Sequence, residues 1–442
     1  MRLAALACGF VLSLAPALAA AEPVLMISID GLRPADVTDA DARGIKVPNL
    51  KKLMAEGVYA TGVRNSLPTV TYPNHTTIIT GVWPAKHGIA NNETFDPEGR
   101  NQGGWYWYAE DIKVPTLWDA AHGAGMKVAS ISWPVSVNSP SIDYDVPEYW
   151  RARNAEDLKL VRALSTPGLL PALEAKTGLK LAAAFGEDPN SDDARAAFAG
   201  ALVELDKPGF FTLHLVSLDH TEHTYGPGTP EAKATLEQID AAVGRLVAQA
   251  RMAEPNVAIA IVSDHGFAPL EHSSNLMAPF VDAGLITLDE KTHRPVKWDA
   301  ELWGGASAAV VLSRPDDAAL KAKVKALLDK LAADPQYGIA RIADANDIAR
   351  MGGAPQASFW IDFNPGYELG HNVSAPPVSP SSQKGTHGYF PEHPEMRATF
   401  ILAGPGIPKT GSLGEIDQRD IAPTVAKTLG VGLPSADGKP LY

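Results

Sequence analysis

An α/β fold, a largely parallel sheet with helices on both faces and an inserted cap subdomain, is what this sequence predicts. Three observations carry the prediction. Apolar runs are continuous rather than alternating: VLMISIDG from Val24 to Gly31, FFTLHLVSLD ending at Asp219, and VAIAIVSDHG with Asp264 and His265 at its end. Runs of this kind are what strands covered on both faces look like. Helical patterns lie between them, at Asn49 to Glu56, Asn74 to Thr80, Thr116 to Ala121, Ala194 to Leu205 and Pro230 to Met252. Strand alternating with helix implies a parallel sheet.

Further strands are expected at Lys127 to Ser132, Ala308 to Leu312 and Thr399 to Leu402. From about Leu270 to Lys384 the pattern changes. That stretch holds the helix DDAALKAKVKALLDKLAAD, the strand ASFWIDF and a Pro/Ser-rich tract, SAPPVSPSSQKG, and reads as the inserted cap of a catalytic unit spanning 22–442.

The first 21 residues read as a secretory signal: Arg2, an apolar run from Leu3 to Leu14, and Ala17-Leu18-Ala19 or Ala19-Ala20-Ala21 as the cleavage site. The run is too short to span a bilayer and is followed by Pro16. No other stretch has that length, so no stable membrane anchor is expected. The single cysteine, Cys8, lies inside the signal, which leaves the mature chain without disulfides or thiolate ligands. An exported chain of this kind, periplasmic or secreted, best suits a bacterial periplasm. The net charge of −13 argues against a nucleic-acid-binding surface. It leaves room for a small phosphate substrate held by a metal ion.

In open α/β sheets ligands bind beyond the carboxyl ends of the strands. Asp30, Asp219 and Asp264 would therefore converge, and three carboxylates in one place repel unless a cation joins them. Histidines supply the rest of the pattern. His223 follows Asp219 by four residues, His265 adjoins Asp264, and His387 sits in GTHGYF, whose glycines allow close backbone approach. Asp and His without sulfur suit zinc, with manganese or iron as substitutes.

With these residues in view, the chain resembles the nucleotide pyrophosphatase/phosphodiesterases of the alkaline phosphatase superfamily. The matching elements are SIDGLRP, TVTYPNHTTIITGVWPAKHGIANN, SLDHTEHTYGP, SDHGF and GTHGY, in the family's order, with DIAPTVAKTLGVGLPSADGKPL near the end. The resemblance implies an alkaline phosphatase-like fold and two zinc ions. Asp219, His223 and His387 would hold one; Asp30, Asp264, His265 and Thr71 would hold the other. It makes Thr71 the nucleophile, activated by zinc to form a covalent phospho-threonine ester. Asn92 becomes a donor to a phosphate oxygen, His220 a bystander and Glu222 merely solvated. The helix after Pro73 points its amino end at the same place. His75 is expected to order the turn, His87 and His122 to be structural or exposed, and Trp133 to be core.

The implied activity is hydrolysis of phosphodiester or pyrophosphate bonds in a small-molecule or nucleotide substrate. A phosphomonoesterase, a phospholipase C-like phosphodiesterase and a non-catalytic metal-binding protein are the alternatives. A sulfatase is disfavoured, because position 71 is threonine. Tyr72 and Tyr149 are the expected faces of a nucleotide-base slot. WPVS departs from the Pro-Gly-Ser sequence of many nucleotide-cleaving relatives at that slot.

Overall fold

The computed structural model describes residues 22–442 except 152, 153, 293 and 410. The predicted signal segment and Cys8 lie outside the described residues. The main sheet is built from β1 (Val24–Ile29), β2 (Val58–Tyr59), β3 (Val128–Ile131), β4 (Tyr144–Val146), β5 (Phe210–Leu215), β6 (Ala258–Val262), β7 (Phe400–Ala403) and β8 (Gly411–Ser412). Their spatial order is β8-β2-β7-β6-β1-β5-β3-β4. All pairings are parallel except those of β7, which runs antiparallel to both β6 and β2.

The continuous apolar runs are explained by two cores. Leu25, Ile27, Ile29, Phe211, Leu213, Ile259 and Ile261 join one cluster; Val24, Met26, Phe210, Ala258, Ala260 and Val262 join the other. Successive residues of a strand point to opposite faces, so both parities must be apolar. The first face is covered by α1 (Pro48–Glu56), α4 (Pro189–Asp206) and α6 (Pro230–Ala253). The second is covered by α2 (Thr71–Thr80), α3 (Leu117–Gly123) and α7 (Ile421–Thr428).

Three helices begin earlier than their apolar periodicity suggests. α1 and α4 each open on a proline, where the missing N–H costs nothing and φ is already helical. α2 opens at Thr71, two residues before Pro73. The first four N–H groups of a helix lack an internal acceptor, so Pro73 is accommodated inside the first turn. Thr71 is thus the first helical residue rather than a cap. The Asp219–His223 pair lies on α5 (Ser217–Tyr225), where a spacing of four places both on one side.

Beyond the main sheet, Ala300–Gly304, Ser307–Leu312, Ala357–Phe363 and Ile339–Asp344 form an antiparallel sheet in the order Ala300–Gly304, Ser307–Leu312, Ala357–Phe363, Ile339–Asp344. It packs with the helix Ala318–Ala332 around its own apolar cluster. The strand expected at Ala308 to Leu312 belongs here. The chain leaves the main sheet along Ala268–Asn275 and returns along Gly385–Thr386, which pair antiparallel. Among the described residues, no helix is long and apolar enough to cross a membrane.

Candidate active site

Parallel register brings the carboxyl ends of three strands together. Ile29 of β1 lies beside Leu215 of β5, and Ser28 beside Val262 of β6. Asp30, α5 and the Asp264-His265 pair follow directly. Gly31, at φ +74°, turns the chain so that its N–H reaches Asp264 Oδ1 at 3.3 Å.

Two groups of potential ligands result. Asp30, Asp264 and His265 offer atoms within 4.8 Å of one another and are buried; Asp219, His223 and His387 do the same and are partly exposed. His265 Nε2 lies 3.3 Å from Asp30 Oδ1 and 3.0 Å from Asp264 Oδ2. Asp219 lies 3.5 Å from His223 Nε2 and 3.4 Å from His387 Nε2. The groups adjoin through His265 and His387, whose rings stack at 3.5 Å and 9°.

The donor set fits metal ions. Asp30 Oδ1, Asp219 Oδ1 and Asp264 Oδ2 are buried without a hydrogen-bond partner. All three imidazoles face a backbone carbonyl with Nδ1: His223 that of Gly385 at 2.9 Å, His387 that of Thr69 at 3.0 Å, His265 that of Gly266 at 3.1 Å. A carbonyl only accepts, so Nδ1 carries a proton and Nε2 is the nitrogen that faces the centre. The electrostatics agree. Burial, then the charges of Asp264 and Asp219, hold Asp30 well above the carboxylate range. Burial opposes ionisation of Asp264 too, but His265 and His75 outweigh it and hold it low. Burial lowers His265, yet Asp264 lifts it to about 9. His387 is held low by burial and by His265 and His223. A bound cation would relieve this crowding of like charge.

Thr71 borders the first group, its Oγ1 3.5 Å from His265 Nε2. The preceding loop is tied to the segment carrying His387: besides the bond to the Thr69 carbonyl, Gly388 N–H donates to Thr69 Oγ1 at 3.1 Å, and that hydroxyl donates to the Tyr389 carbonyl at 2.8 Å. The expected glycine role holds at Gly385, where a Cβ would stand 2.5 Å from the Glu222 carbonyl. Asn92 Oδ1 accepts from the Tyr72 N–H at 2.8 Å, which turns its amide nitrogen to the role of donor. His75 spans from the Thr71 carbonyl, 2.9 Å, to Ser28 Oγ, 2.8 Å.

The sequence pattern described as "Type I phosphodiesterase / nucleotide pyrophosphatase" matches residues 24–390. The chain belongs to that family. The enzyme is 26% identical to an uncharacterized pyrophosphatase/phosphodiesterase of Schizosaccharomyces pombe over 390 residues, 86% of this chain and 71% of the relative. It is 27% identical to human ectonucleotide pyrophosphatase/phosphodiesterase family member 1 over 254 residues, 55% of this chain, and spans only 23% of that longer protein. Its fold is shared with murine ectonucleotide pyrophosphatase/phosphodiesterase 5, at TM-score 0.65 and 19% identity, covering 95% of this chain and 98% of that one. A solved inactive threonine-to-alanine variant of that murine protein, in complex with AMP, superposes equally well, with a TM-score of 0.65.

Beside Thr71 the enzyme opens a cavity of about 340 Å³ lined by Asp30, Tyr72, Trp105, Glu148, Tyr149 and Trp150 among others. Tyr72 is buried edge-on to Trp105, and Tyr149 packs on Trp107 with centroids 4.8 Å apart. The two tyrosines border one space, but each is seated largely in the core. Trp133 is core, and buried His87 meets Thr77 at 3.1 Å. His220 faces Glu187 at 3.4 Å and is in neither ligand group, although it borders the same pocket as Asp219, His223 and His387.

Glu222 corrects an expectation. It is buried, not solvated, 3.3 Å from the Arg33 guanidinium, and burial pushes its carboxyl up to about 8 against that cation. Sequence reading also missed Glu148 and His214. Burial lowers the His214 imidazole, but hydrogen bonds to Asp30 and Glu148 lift it well above its ordinary value. For His214 the available signal was an imidazole in the apolar run FFTLHLV.

Proposed function

We propose that the chain is an exported, two-zinc phosphodiesterase/nucleotide pyrophosphatase acting through a phospho-threonine intermediate, with manganese or iron able to replace zinc. The observation that carries this is the meeting, beside Thr71, of six Asp and His side chains, with one oxygen of each aspartate buried without a hydrogen-bond partner. The murine threonine-to-alanine variant described as inactive lends support. Asp219, His223 and His387 would hold one ion; Asp30, Asp264, His265 and Thr71 the other. Bound there, the ions would acidify the Thr71 hydroxyl and stabilise the leaving oxygen.

Thr71 Oγ, having lost its proton, attacks phosphorus in line. The bond to the leaving oxygen breaks with its electron pair, and that oxygen takes up a proton in place of the one Thr71 gave up. Water then cleaves the phospho-threonine ester and restores the hydroxyl. The Asn92 amide and the Thr71 N–H hold the non-bridging oxygen. Residues 270–384 form an inserted cap within the 22–442 catalytic unit, a reading supported by the antiparallel pairing of the leaving and returning strands. The N-terminal 21 residues direct export. The substrate is a small molecule, since the net charge of −13 suits no nucleic-acid surface.

The cavity supports a diester over a monoester. A diester needs space for its second organic group, and an aromatic wall holding a base is worth about 1–3 kcal/mol, roughly 5- to 150-fold. Nucleotide diesters and pyrophosphates are therefore cleaved with higher kcat/KM than monoesters, and Tyr149→Ala narrows the gap. A panel of diesters, dinucleotides, monoesters and choline lipids tests this; equal efficiency on a nucleotide diester and a simple monoester rules out the slot. Elemental analysis of active protein should find two metal equivalents per chain, and one or none would overturn the ligand assignment.

A further inference from the structure

Behind the ligand groups runs a chain of hydrogen bonds. Tyr72, the residue after Thr71, donates its hydroxyl to Glu148 Oε1 at 2.7 Å. Glu148 Oε2 faces His214 Nδ1 at 3.0 Å. The same Nδ1 faces the Ser132 carbonyl at 3.1 Å, and His214 Nε2 faces Asp30 Oδ2 at 3.0 Å. Both ring nitrogens meet only acceptors, so both donate. Ser132 stands in the left-handed region, φ +55°, uncommon for a residue with a side chain. That conformation directs its carbonyl at His214, and such backbone is retained where the surroundings require it.

The consequence falls on Asp30. One carboxylate oxygen is committed to His214. The other, Oδ1, is buried without a hydrogen-bond partner and lies 3.3 Å from His265 Nε2, inside the first ligand group. A carboxylate held by one oxygen can offer only the other. A strand position between Leu213 and Leu215, both wholly buried, would take an apolar residue more cheaply than a charged ring between two carboxylates.

We infer that His214 is a positioning residue for Asp30, held in turn by Glu148, Ser132 and Tyr72, and that it sets the affinity of the metal position built on Asp30, Asp264 and His265. This rests on the two-metal reading above. The other position is untouched by it, because His223 and His387 are fixed by the carbonyls of Gly385 and Thr69.

The experiment measures zinc affinity by competition with a chromogenic chelator, alongside kcat and KM, for wild type, His214→Ala, His214→Gln and Glu148→Gln. Loss of an outer partner typically weakens metal binding about 10- to 100-fold. His214→Ala should weaken one zinc by that factor and leave the second unchanged. His214→Gln, which keeps one N–H for Asp30, should recover part of the loss. In zinc-limited buffer kcat should fall, KM should stay within about two-fold, and added zinc should restore the rate. Glu148→Gln, at the cavity wall, keeps the test decisive if His214→Ala does not fold, and should weaken the same single zinc. Two unaltered zinc affinities in folded His214→Gln and Glu148→Gln, or a rise in KM with both ions bound, would overturn the inference alone. A wild-type chain that binds no zinc would overturn the metal reading beneath it.

Discussion

Thr71→Ala lowers turnover of every phosphodiester by about 10³-fold or more, with the fold intact. The side chain is 9% exposed, and its hydroxyl makes a single 3.5 Å approach, to His265. Alanine suits the first turn of a helix, so the loss of structure is small. Both carboxylate–imidazole groups remain, so most metal is retained. Thr71→Ser keeps the hydroxyl and keeps part of the rate. Circular dichroism, metal content and kcat on one chromogenic diester check these together. A Thr71→Ala enzyme turning over near the wild-type rate would dispose of the covalent mechanism.

Dialysis against a chelator abolishes activity and destabilises the protein in the same step. Asp30, Asp219 and Asp264 each bury an oxygen with no partner, and Asp30 is already held high by burial and by the charges of Asp264 and Asp219. Ligand binding stabilises a fold by mass action, roughly 4 kcal/mol for a site saturated at a thousand times its Kd. Removing two ions therefore lowers the thermal midpoint by several degrees, and restoring zinc recovers both midpoint and rate. Scanning calorimetry with and without chelator is the check. An unchanged midpoint together with full activity would show that the carboxylates serve no cation.

The proposed ligands Asp30, Asp219, Asp264 and His265 were legible because they stand at or near the end of an apolar run, where a charge is conspicuous. Asp30, Asp264 and His265 follow that rule directly; Asp219 follows it one helical turn later, because the strand run expected to end at Asp219 stops at Leu215 and α5 begins at Ser217. Glu222 was not legible. An acidic residue on a short helix reads as solvated, and its partner Arg33 is distant in sequence. His214 read as part of a strand, since its meaning depends on Glu148, 66 residues away, and on Asp30, 184 away. The antiparallel sheet beyond the main one depends on non-local pairing, which local periodicity does not encode. The aromatic pair was half legible: Tyr72 and Tyr149 do border one cavity, but how deeply each is seated follows from packing against Trp105 and Trp107.

The three hydrogen bonds joining Thr69 to His387, Gly388 and Tyr389 bear on when the enzyme begins to work. They fasten the segment just before Thr71 to one 318 residues further along the chain. During synthesis Asp30, Thr71 and all of β5 and β6 emerge long before that second segment exists. Until it docks, Thr71 has no anchored approach and one metal position lacks a third ligand. On the proposed assignment, products that stop short of His387 would therefore stay silent, however much of the main sheet they have formed.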